Sequence, residues 1–433
     1  MSIPNVPTSQ PEVPDSTTPA PGRKAIVLLA VISFLNMMGM TIIGPVLPFM
    51  TLRYLNNPND LAVVVAWMTS IYGICQFIAA PGLGLLSDRF GRRPVLFVCM
   101  LGSAIGYLLF GLGGAIWILF LGRVIDGLTG GNYSVLFGYI ADITEPEERG
   151  KYFGIIGGVS GVGFIVGPAI GGLLANISYN TPFLCAAAIF LLSTVWGFFF
   201  LPESLSKENR VTVISLGDLN PLKQLGNVFT MSNLRWVLLA GFFYYFPFAI
   251  LISNMTILLK DSLGWNATDA GVVSSVVGVV DIVVQGVLVG KLLSFFGDVK
   301  LGIGSLCLVA ISYILLGALA LVASPILLVV GVILFAGSGG LVENALRGLT
   351  SRLAGSQQQG LVGGASQSMQ SLAMILGPLY GGFLYAQFGH ATPYWSGVVI
   401  IALAIGSVVL AIPVLRGHGT EGGSGLDGFS RRK

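Results

Sequence analysis

Four ionisable side chains interrupt long apolar stretches of this sequence, namely Arg123, Asp126, Asp281 and Glu343. A charged group surrounded by hydrocarbon costs at least about 2.5–3.5 kcal/mol, so each one requires a structural or functional reason. Arg123 and Asp126 are three residues apart, which places them on one face of a helix. They could neutralise each other as a structural ion pair, or Asp126 could bind a proton when Arg123 moves away. The spacing leaves both interpretations open.

Asp281 has no charged partner at helical spacing. It lies on a stripe typical of close helix packing, formed by Gly271, Ser274, Gly278 and Gln285. A lone carboxyl inside a helical bundle suits reversible proton binding, so Asp281 is the first candidate for the coupling proton. A permanently protonated, structural aspartate is the alternative. Glu343 and Arg347 are four residues apart, so they could form an interfacial ion pair or take part in proton transfer.

The composition shows which environment surrounds these groups. Charged residues make up 9% of the 433 residues, and hydrophobic residues make up 54%. Soluble proteins carry about 25% charged residues, so this chain cannot cover its apolar content with a soluble surface. Its net charge of +3 is too small to attract nucleic acid. These values exclude a soluble enzyme, a secreted scaffold and a DNA-binding protein, and they predict an integral protein of the lipid bilayer.

Twelve apolar stretches are long enough to cross a membrane as helices. They lie at residues 25–50, 61–84, 94–113, 115–141, 153–175, 181–201, 236–259, 269–291, 300–323, 325–348, 359–386 and 393–415. With the N-terminus inside, every Lys and Arg lies in an inner segment except Arg53, Lys260 and the intramembrane Arg123. This distribution follows the positive-inside rule. It predicts a multi-pass protein of the cell membrane with both termini in the cytoplasm.

An internal repeat divides the twelve helices into two halves. Residues 167–172 of the fifth helix recur as residues 377–382 of the eleventh, and the loop at 84–91 recurs at 290–297. The predicted organisation is a disordered tail (1–22), a first half (23–201), a central cytoplasmic loop (202–235), a second half (236–415) and a cytoplasmic tail (416–433). Such repeats are typical of secondary transporters, whose binding site lies between the halves.

The short loop after the second helix combines glycine and charge, in the residues Gly84, Asp88, Arg89, Gly91, Arg92 and Arg93. The glycines allow a tight turn, the aspartate can accept hydrogen bonds from a helix N-terminus, and the arginines anchor the loop inside. A turn that serves only as a positively charged anchor is the alternative. The loop resembles the signature of the major facilitator superfamily, GxLaDrxGrkxxl, and this resemblance extends over the whole chain.

Further motifs resemble particular members of that superfamily. Residues 121–127 are similar to its buried-arginine motif, and residues 157–172 are similar to the motif of its drug/proton antiporters. Residues 44–48, 141–144 and 201–204 resemble the tetracycline/proton antiporters. The chain departs from those antiporters at Asn36, where they have an aspartate, and at Asp281, where they have a histidine. The resemblance implies the twelve-helix facilitator fold, proton-coupled drug export and a functional Arg123.

The fifth helix is unusually rich in glycine, and its marked residues are Gly157, Gly161, Gly167, Pro168, Gly171 and Gly172. Small residues spaced by four let two helices approach closely, and a proline inside a helix bends it. We expect this helix to press against the small-residue stripe of the eighth helix and to seal one side of a central cavity. Ordinary helix packing is the alternative.

Uncharged polar and aromatic residues in the predicted helices are candidates for contact with substrate. They are Asn36, Tyr72, Gln76, Tyr244, Phe248, Gln285, Gln367 and Gln370. Aromatic walls with a few polar groups suit amphipathic organic molecules. Plain core packing is the alternative for each of them.

The leading functional hypothesis is a secondary transporter that exports hydrophobic or amphipathic small molecules in exchange for protons. A proton symporter or uniporter for a small metabolite, such as a sugar or an organic acid, is the alternative. The resemblance implies a monomer with no cofactor and no metal, driven by the proton gradient.

Two other classes of protein stay open on the sequence. A membrane enzyme could bind a metal through the acidic segment Asp142–Glu148, although Pro146 interrupts it and a solvated loop explains it. The second class is a membrane receptor that transports no substrate.

Overall fold

The computed structural model describes residues 23–211, 234–353 and 359–421, which are mostly helical. The first half contains α1 (Arg23–Thr41), α2 (Leu47–Leu52), α3 (Leu61–Phe90), α4 (Arg92–Leu112), α5 (Ile116–Leu128), α6 (Asn132–Ile143), α7 (Arg149–Ala175) and α8 (Thr181–Phe200). The second half contains α9 (Arg235–Leu263), α10 (Ala267–Val283), α11 (Val289–Leu319), α12 (Pro325–Leu353), α13 (Gln359–Phe388) and α14 (Thr392–Glu421). The predicted tail 1–22 and most of the predicted central loop lie outside the described residues.

Nine segments of the described chain are long and apolar enough to cross a membrane. They contain ten of the twelve predicted spans, because the segment Ala267–Leu319 holds both the eighth and the ninth. The remaining two are the fourth span, which consists of α5 and α6, and the eleventh, which is α13. The chain is therefore an all-α, multi-pass membrane protein with the twelve-span organisation that the sequence predicts.

Several predicted spans are bent or shifted. The first is divided into α1 and α2 around Gly44 and Pro45, since proline cannot continue a helical hydrogen-bond ladder. The fourth, predicted as continuous over 115–141, is broken between α5 and α6 at residues 129–131. The eighth contains a π-helical turn at Val284–Leu288 and passes its predicted end at 291. The twelfth continues to Glu421, into the segment predicted as a tail.

Each half packs mainly on itself. In the first half α1 packs on α7 and α8, and α4 packs on α5 and α8; in the second half α9 packs on α13 and α14, and α11 packs on α12. Two pairs of helices make most of the contact between the halves, namely α7 with α10 and α3 with α13, and α3 also touches α9. These two pairs decide how the halves can move relative to each other.

Equivalent glycine turns mark one end of both halves. Gly91 joins α3 to α4 with a φ of +107°, and Gly297 interrupts α11 with a φ of +71°. Such left-handed backbone favours glycine because it has no Cβ atom. The two turns are 206 residues apart, as the repeat predicts. We call this end, with the signature loop, the inner end, and the opposite one the outer end.

A charged network holds the inner end of the first half. The Arg92 guanidinium lies 2.6 Å from the Asp88 carboxylate and 3.0 Å from the Asp142 carboxylate. Arg92 places a positive charge at the N-terminus of α4, where the helix dipole disfavours it. Glu203 offsets this, because its carboxylate accepts hydrogen bonds from the backbone N–H groups of Arg92 (2.8 Å) and Arg93 (3.3 Å). The signature loop and residues 201–204 therefore form one unit.

The second half carries the same ion pair with its charges exchanged. Asp298 follows the Gly297 turn as Arg92 follows Gly91, and Arg352 ends α12 at the repeat position of Asp142. The Arg352 Nε atom lies 2.7 Å from the Asp298 Oδ2 atom, and the aspartate is buried. Here the acidic residue already suits the helix N-terminus and the arginine suits the helix C-terminus. The pair therefore needs no partner equivalent to Glu203.

This pair predicts an asymmetric response to mutation. Arg352→Gln leaves a buried carboxylate without its cation and should lower the free energy of unfolding by about 1–3 kcal/mol. The double variant Asp298→Asn with Arg352→Gln removes both charges and should recover most of that loss. The apparent melting temperature of the purified protein measures both effects, with Lys300→Gln as a control for net charge. A double variant less stable than Arg352→Gln would contradict this account.

Candidate functional site

The first contact between the halves joins α7 to α10 at the outer end. A Cβ atom at Gly172 would lie 2.8 Å from the carbonyl oxygen of Ala267, so the backbones approach too closely for any other residue. The Thr268 hydroxyl donates a hydrogen bond to the Gly172 carbonyl oxygen at 2.8 Å. The Ser275 hydroxyl donates to the Ile165 carbonyl oxygen at 2.8 Å. This is the packing that the small-residue stripe of α10 predicts.

The second contact, between α3 and α13, repeats the first through the internal repeat. A Cβ atom at Gly382 would lie 2.6 Å from the carbonyl oxygen of Ala62. The buried Ser70 hydroxyl donates to the Ile375 carbonyl oxygen at 2.7 Å. These residues are the counterparts of those in the first contact, at offsets of 205 and 210 residues. We call the two contacts the outer seams.

The fifth helix packs on the eighth as expected, but one row of its glycines takes no part in that contact. A Cβ atom would clash with the backbone of α1, or of Ile42 just after it, at each member of the row, which is Gly163, Gly167 and Gly171. These residues therefore fix α1 against α7 within the first half. Only the neighbouring face, with Gly161, Pro168 and Gly172, is turned to α10. Gly157 has no neighbour within 4 Å of its Cβ position.

The halves separate toward the inner end in the described part of the chain. The inner portion of α7 carries three further glycines whose Cβ positions meet no atom within 4 Å, namely Gly150, Gly154 and Gly158. Gly84 in α3 and Gly290 in α11 have equally open surroundings. The molecule is thus closed by the outer seams and open at its inner end.

A cavity of about 560 Å³ lies between the halves. The predicted candidates Gln76, Gln367 and Gln370 line it, together with Tyr133 and Phe137 of α6. Neither aromatic residue is among the predicted candidates, because the sequence predicts one continuous helix over 115–141. Their spacing of four, the same as for Tyr72 and Gln76, was the available signal.

Arg123 and Asp126 lie in the core of the first half, next to this cavity. The Arg123 Nη1 atom is 3.6 Å from the Asp126 Oδ2 atom, and both residues are buried. The Ser103 and Tyr107 side chains line the same small cavity as the Asp126 carboxyl. The Arg123 Nε and Asp126 Oδ2 atoms have no hydrogen-bond partner, so this buried pair is incompletely satisfied. The pair is intact but loose, which suits a group that changes its state.

A smaller cavity of about 240 Å³ leads from Asp126 to the predicted substrate residues Asn36, Tyr72 and Gln76. The Gln76 amide donates to the Gly130 carbonyl oxygen at 2.9 Å. The Arg123 guanidinium lies 5.8 Å from the centre of the Tyr72 ring, within range of a cation–π interaction. Asn36 is buried, and its amide points at the Met100 sulfur at 3.7 Å. The structure therefore brings these candidates together around Asp126.

Asp281 is the second-half counterpart of Gln76. Its carboxylate accepts a hydrogen bond from the Gln285 amide at 2.9 Å, and it faces Gly340, as Gln76 faces Gly130. Asp281 is only partly buried. A π-helical turn begins three residues after Asp281, at Val284. The turn inserts one residue, so the offset of the internal repeat is 205 before it and 206 after it. Such turns occur frequently at functional sites.

Glu343 and Arg347 form an ion pair of 2.5 Å on α12. Both residues line a cavity of about 280 Å³ that shares Gln367 and Gln370 with the larger cavity. Tyr245 lines it as well, whereas the predicted Tyr244 and Phe248 turn into the second half. The Tyr244 hydroxyl donates to the Gly339 carbonyl oxygen at 3.3 Å, and Phe248 stacks on Phe335. Helix α9 therefore presents Tyr245 to the cavity, instead of the predicted Tyr244.

Two repeated six-helix halves, a cavity between them and seams at one end define a secondary transporter that works by alternating access. Comparison with known proteins agrees. The family model for the Major Facilitator Superfamily matches residues 29–239 and 237–427. The chain belongs to the major facilitator superfamily.

Relatives of known name fall in two groups. The chain is 32% identical over 403 residues to the Tetracycline resistance protein, class C, of Escherichia coli, covering 90% of this chain and 96% of that protein. It is 30% identical over 384 residues to Multidrug resistance protein 2 of Bacillus subtilis, covering 87% and 92%. The crystal structure of the human organic anion transporter MFSD10 has the same fold, with a TM-score of 0.69, 22% identity and coverage of 89% and 99%.

We predict that Ser70 and Ser275 stabilise the form in which the outer seams are closed. Ser70→Ala and Ser275→Ala each remove a hydrogen bond between the halves, which contributes about 0.5–1.5 kcal/mol. The double variant should expose the space beneath the seams more often, because effects at separate sites add. Thr256 of α9 lines a cavity of about 190 Å³ beneath the seams, together with Thr69 and Tyr72. The rate at which a membrane-impermeant thiol reagent, added from outside, modifies Thr256→Cys in a background without native cysteines measures this exposure.

Ser274→Ala is the matched control, since the Ser274 hydroxyl bonds only within its own helix, to Ala270 at 2.9 Å. Equal labelling rates in the double variant and in this control would show that the two serines do not hold the seams.

Proposed function

We propose that this protein exports amphipathic small molecules, including drugs, from the cytoplasm in exchange for protons. Its tetracycline-resistance and multidrug-resistance relatives support export as the direction of transport. In this proposal the protein is a monomer in the cell membrane, and its inner end and both termini face the cytoplasm. The proton gradient supplies the energy, and no cofactor takes part.

The observation that carries the proposal is the buried Arg123–Asp126 pair beside the cavity. Arg123 holds Asp126 by one contact of 3.6 Å, and each side chain retains an atom without a hydrogen-bond partner. Binding of a proton neutralises Asp126 and removes its attraction for Arg123. The guanidinium can then move along the Tyr72 ring, which lines the same cavity as Asp126. Protonation thus changes the shape and charge of the wall that faces the substrate.

The closed outer seams and the open inner end correspond to the form that loads substrate from the cytoplasm. Export then requires the seams to separate and the inner ends of the halves to approach. Protons from outside reach the cavity in the outward-open form and bind to the carboxyl there. Release of that proton to the cytoplasm completes one cycle.

Asp126 and Asp281 differ in their suitability for the coupling proton. Asp281 is the first candidate on the sequence, but its carboxylate is partly exposed and already held by Gln285. Asp126 is buried and incompletely satisfied, so a gain or loss of charge has a larger effect there. We therefore assign the proton to Asp126 and keep Asp281 as the second candidate.

Inverted membrane vesicles test the direction of transport. In vesicles acidified inside, an exported drug should accumulate, and its addition should partly dissipate the proton gradient. A proton symporter would not concentrate the drug in such vesicles, because its protons move in the same direction as the drug. A uniporter would leave the proton gradient unchanged when the drug is added. Uptake of substrate into intact cells, driven by the proton gradient, would overturn the export proposal.

The assignment of the proton predicts unequal effects of two substitutions. Asp126→Asn should abolish drug-dependent proton release and reduce resistance to that of cells without the transporter, because the amide binds no proton at neutral pH. Asp281→Asn should keep a measurable part of both activities. Drug-susceptibility panels and proton flux check this, with the exposed Asp60→Asn as control. Full activity of Asp126→Asn would contradict the assignment.

A further inference from the structure

The internal repeat gives the two sides of the cavity different chemistry at equivalent positions. Tyr133 and Phe137 of α6 line the cavity of about 560 Å³. An offset of 210 residues places Glu343 and Arg347 at the same positions of α12. The repeat therefore presents an aromatic pair on one side and an ion pair on the other.

The two members of the ion pair are held very differently. The Glu343 carboxylate contacts Arg347 at 2.5 Å, shares the cavity wall with Tyr245, and has 31% of its side chain exposed. The Arg347 side chain is 75% exposed and comes from the same helix, one turn away. The carboxylate is thus fixed in the cavity wall, whereas the guanidinium lies mostly outside it.

This difference makes the guanidinium replaceable. An exposed ion pair contributes little to stability, because water solvates the free arginine almost as well. The partly buried Glu343 carboxylate, in contrast, continues to favour a cationic partner when Arg347 leaves. A cation that enters the cavity can take this place, so the charge next to Glu343 stays balanced during the exchange.

We propose that Glu343 is a cation-binding group of the substrate cavity and that Arg347 occupies it while the transporter is empty. Organic cations bind by displacing the Arg347 guanidinium, and uncharged molecules bind without this competition. The ligand is an ammonium group on an apolar body. The ammonium contacts Glu343 and Tyr245, and the body lies against Gln367, Gln370 and the aromatic pair of α6. This proposal rests on the proposed function, because it assigns this cavity to the substrate.

Two matched probes separate the charge from the rest of the ligand. The first is a dansyl amide that carries a trimethylammonium group. The second is its uncharged isostere, in which a tert-butyl group replaces the trimethylammonium. Binding to the purified full-length protein is followed by dansyl fluorescence without any proton gradient, so the result does not depend on transport. Failure of proton-coupled export would therefore be distinguishable from failure of this binding site.

Three variants give a specific pattern. Glu343→Gln should weaken binding of the cationic probe by about tenfold or more, since a hydrogen-bonded charge is lost. Arg347→Gln should strengthen it by about two- to fivefold, because the competing guanidinium is gone. The double variant should match Glu343→Gln, because Arg347 competes only for that carboxylate. Binding of the uncharged isostere should be the same in all three variants.

Controls keep the result interpretable. Lys300→Gln removes an exposed positive charge that lines no described cavity, so it should leave both affinities unchanged. Unchanged isostere binding shows that each variant is folded, and Glu343→Asp should retain part of the preference for the cation. The proposal is overturned if Arg347→Gln fails to strengthen cation binding. It is equally overturned if Glu343→Gln weakens both probes alike, or if the wild type binds neither.

Discussion

Close backbone contact across the outer seams is the constraint on which the rest of the structure depends. At Gly172 and Gly382 a Cβ atom would lie less than 3 Å from a carbonyl oxygen of the other half. Contact at this distance joins the halves without interlocking long side chains, so the same surfaces can separate and rejoin. Because the seams hold only the outer end, the cavity remains accessible from the other end, where the helices diverge.

The internal repeat explains both the likeness and the difference between the halves. The seam residues Ser70 and Ser275 are equivalent, and so are the turns at Gly91 and Gly297. These positions define the framework, and they keep the same residue type in both halves. Positions that face the cavities have diverged instead, so one half presents Tyr133 and Phe137 where the other presents Glu343 and Arg347. The framework is symmetric, and the chemistry is not.

The charged pairs at the inner end also occupy equivalent positions in the two halves but differ in their residues. An arginine–aspartate pair joins the third and fourth spans in the first half, and the reversed pair joins the ninth and tenth spans. The reversed pair agrees with both helix dipoles, whereas the first half needs Glu203 to compensate for Arg92. This explains why residues 201–204 form one unit with the signature loop, although they are more than 100 residues away in sequence.

The sequence by itself determined the membrane environment, the twelve spans, the repeat and the few charges that could bind a proton. These follow from hydropathy, residue spacing and the cost of placing charge in hydrocarbon, which are local properties. Only the tertiary structure decided which helix face meets which partner. It turned the glycine row of α7 toward α1, brought Tyr245 instead of Tyr244 to the cavity, and grouped Asn36 with Asp126. In a helix that is apolar all round, periodicity does not distinguish a lipid face from a protein face, because both are apolar.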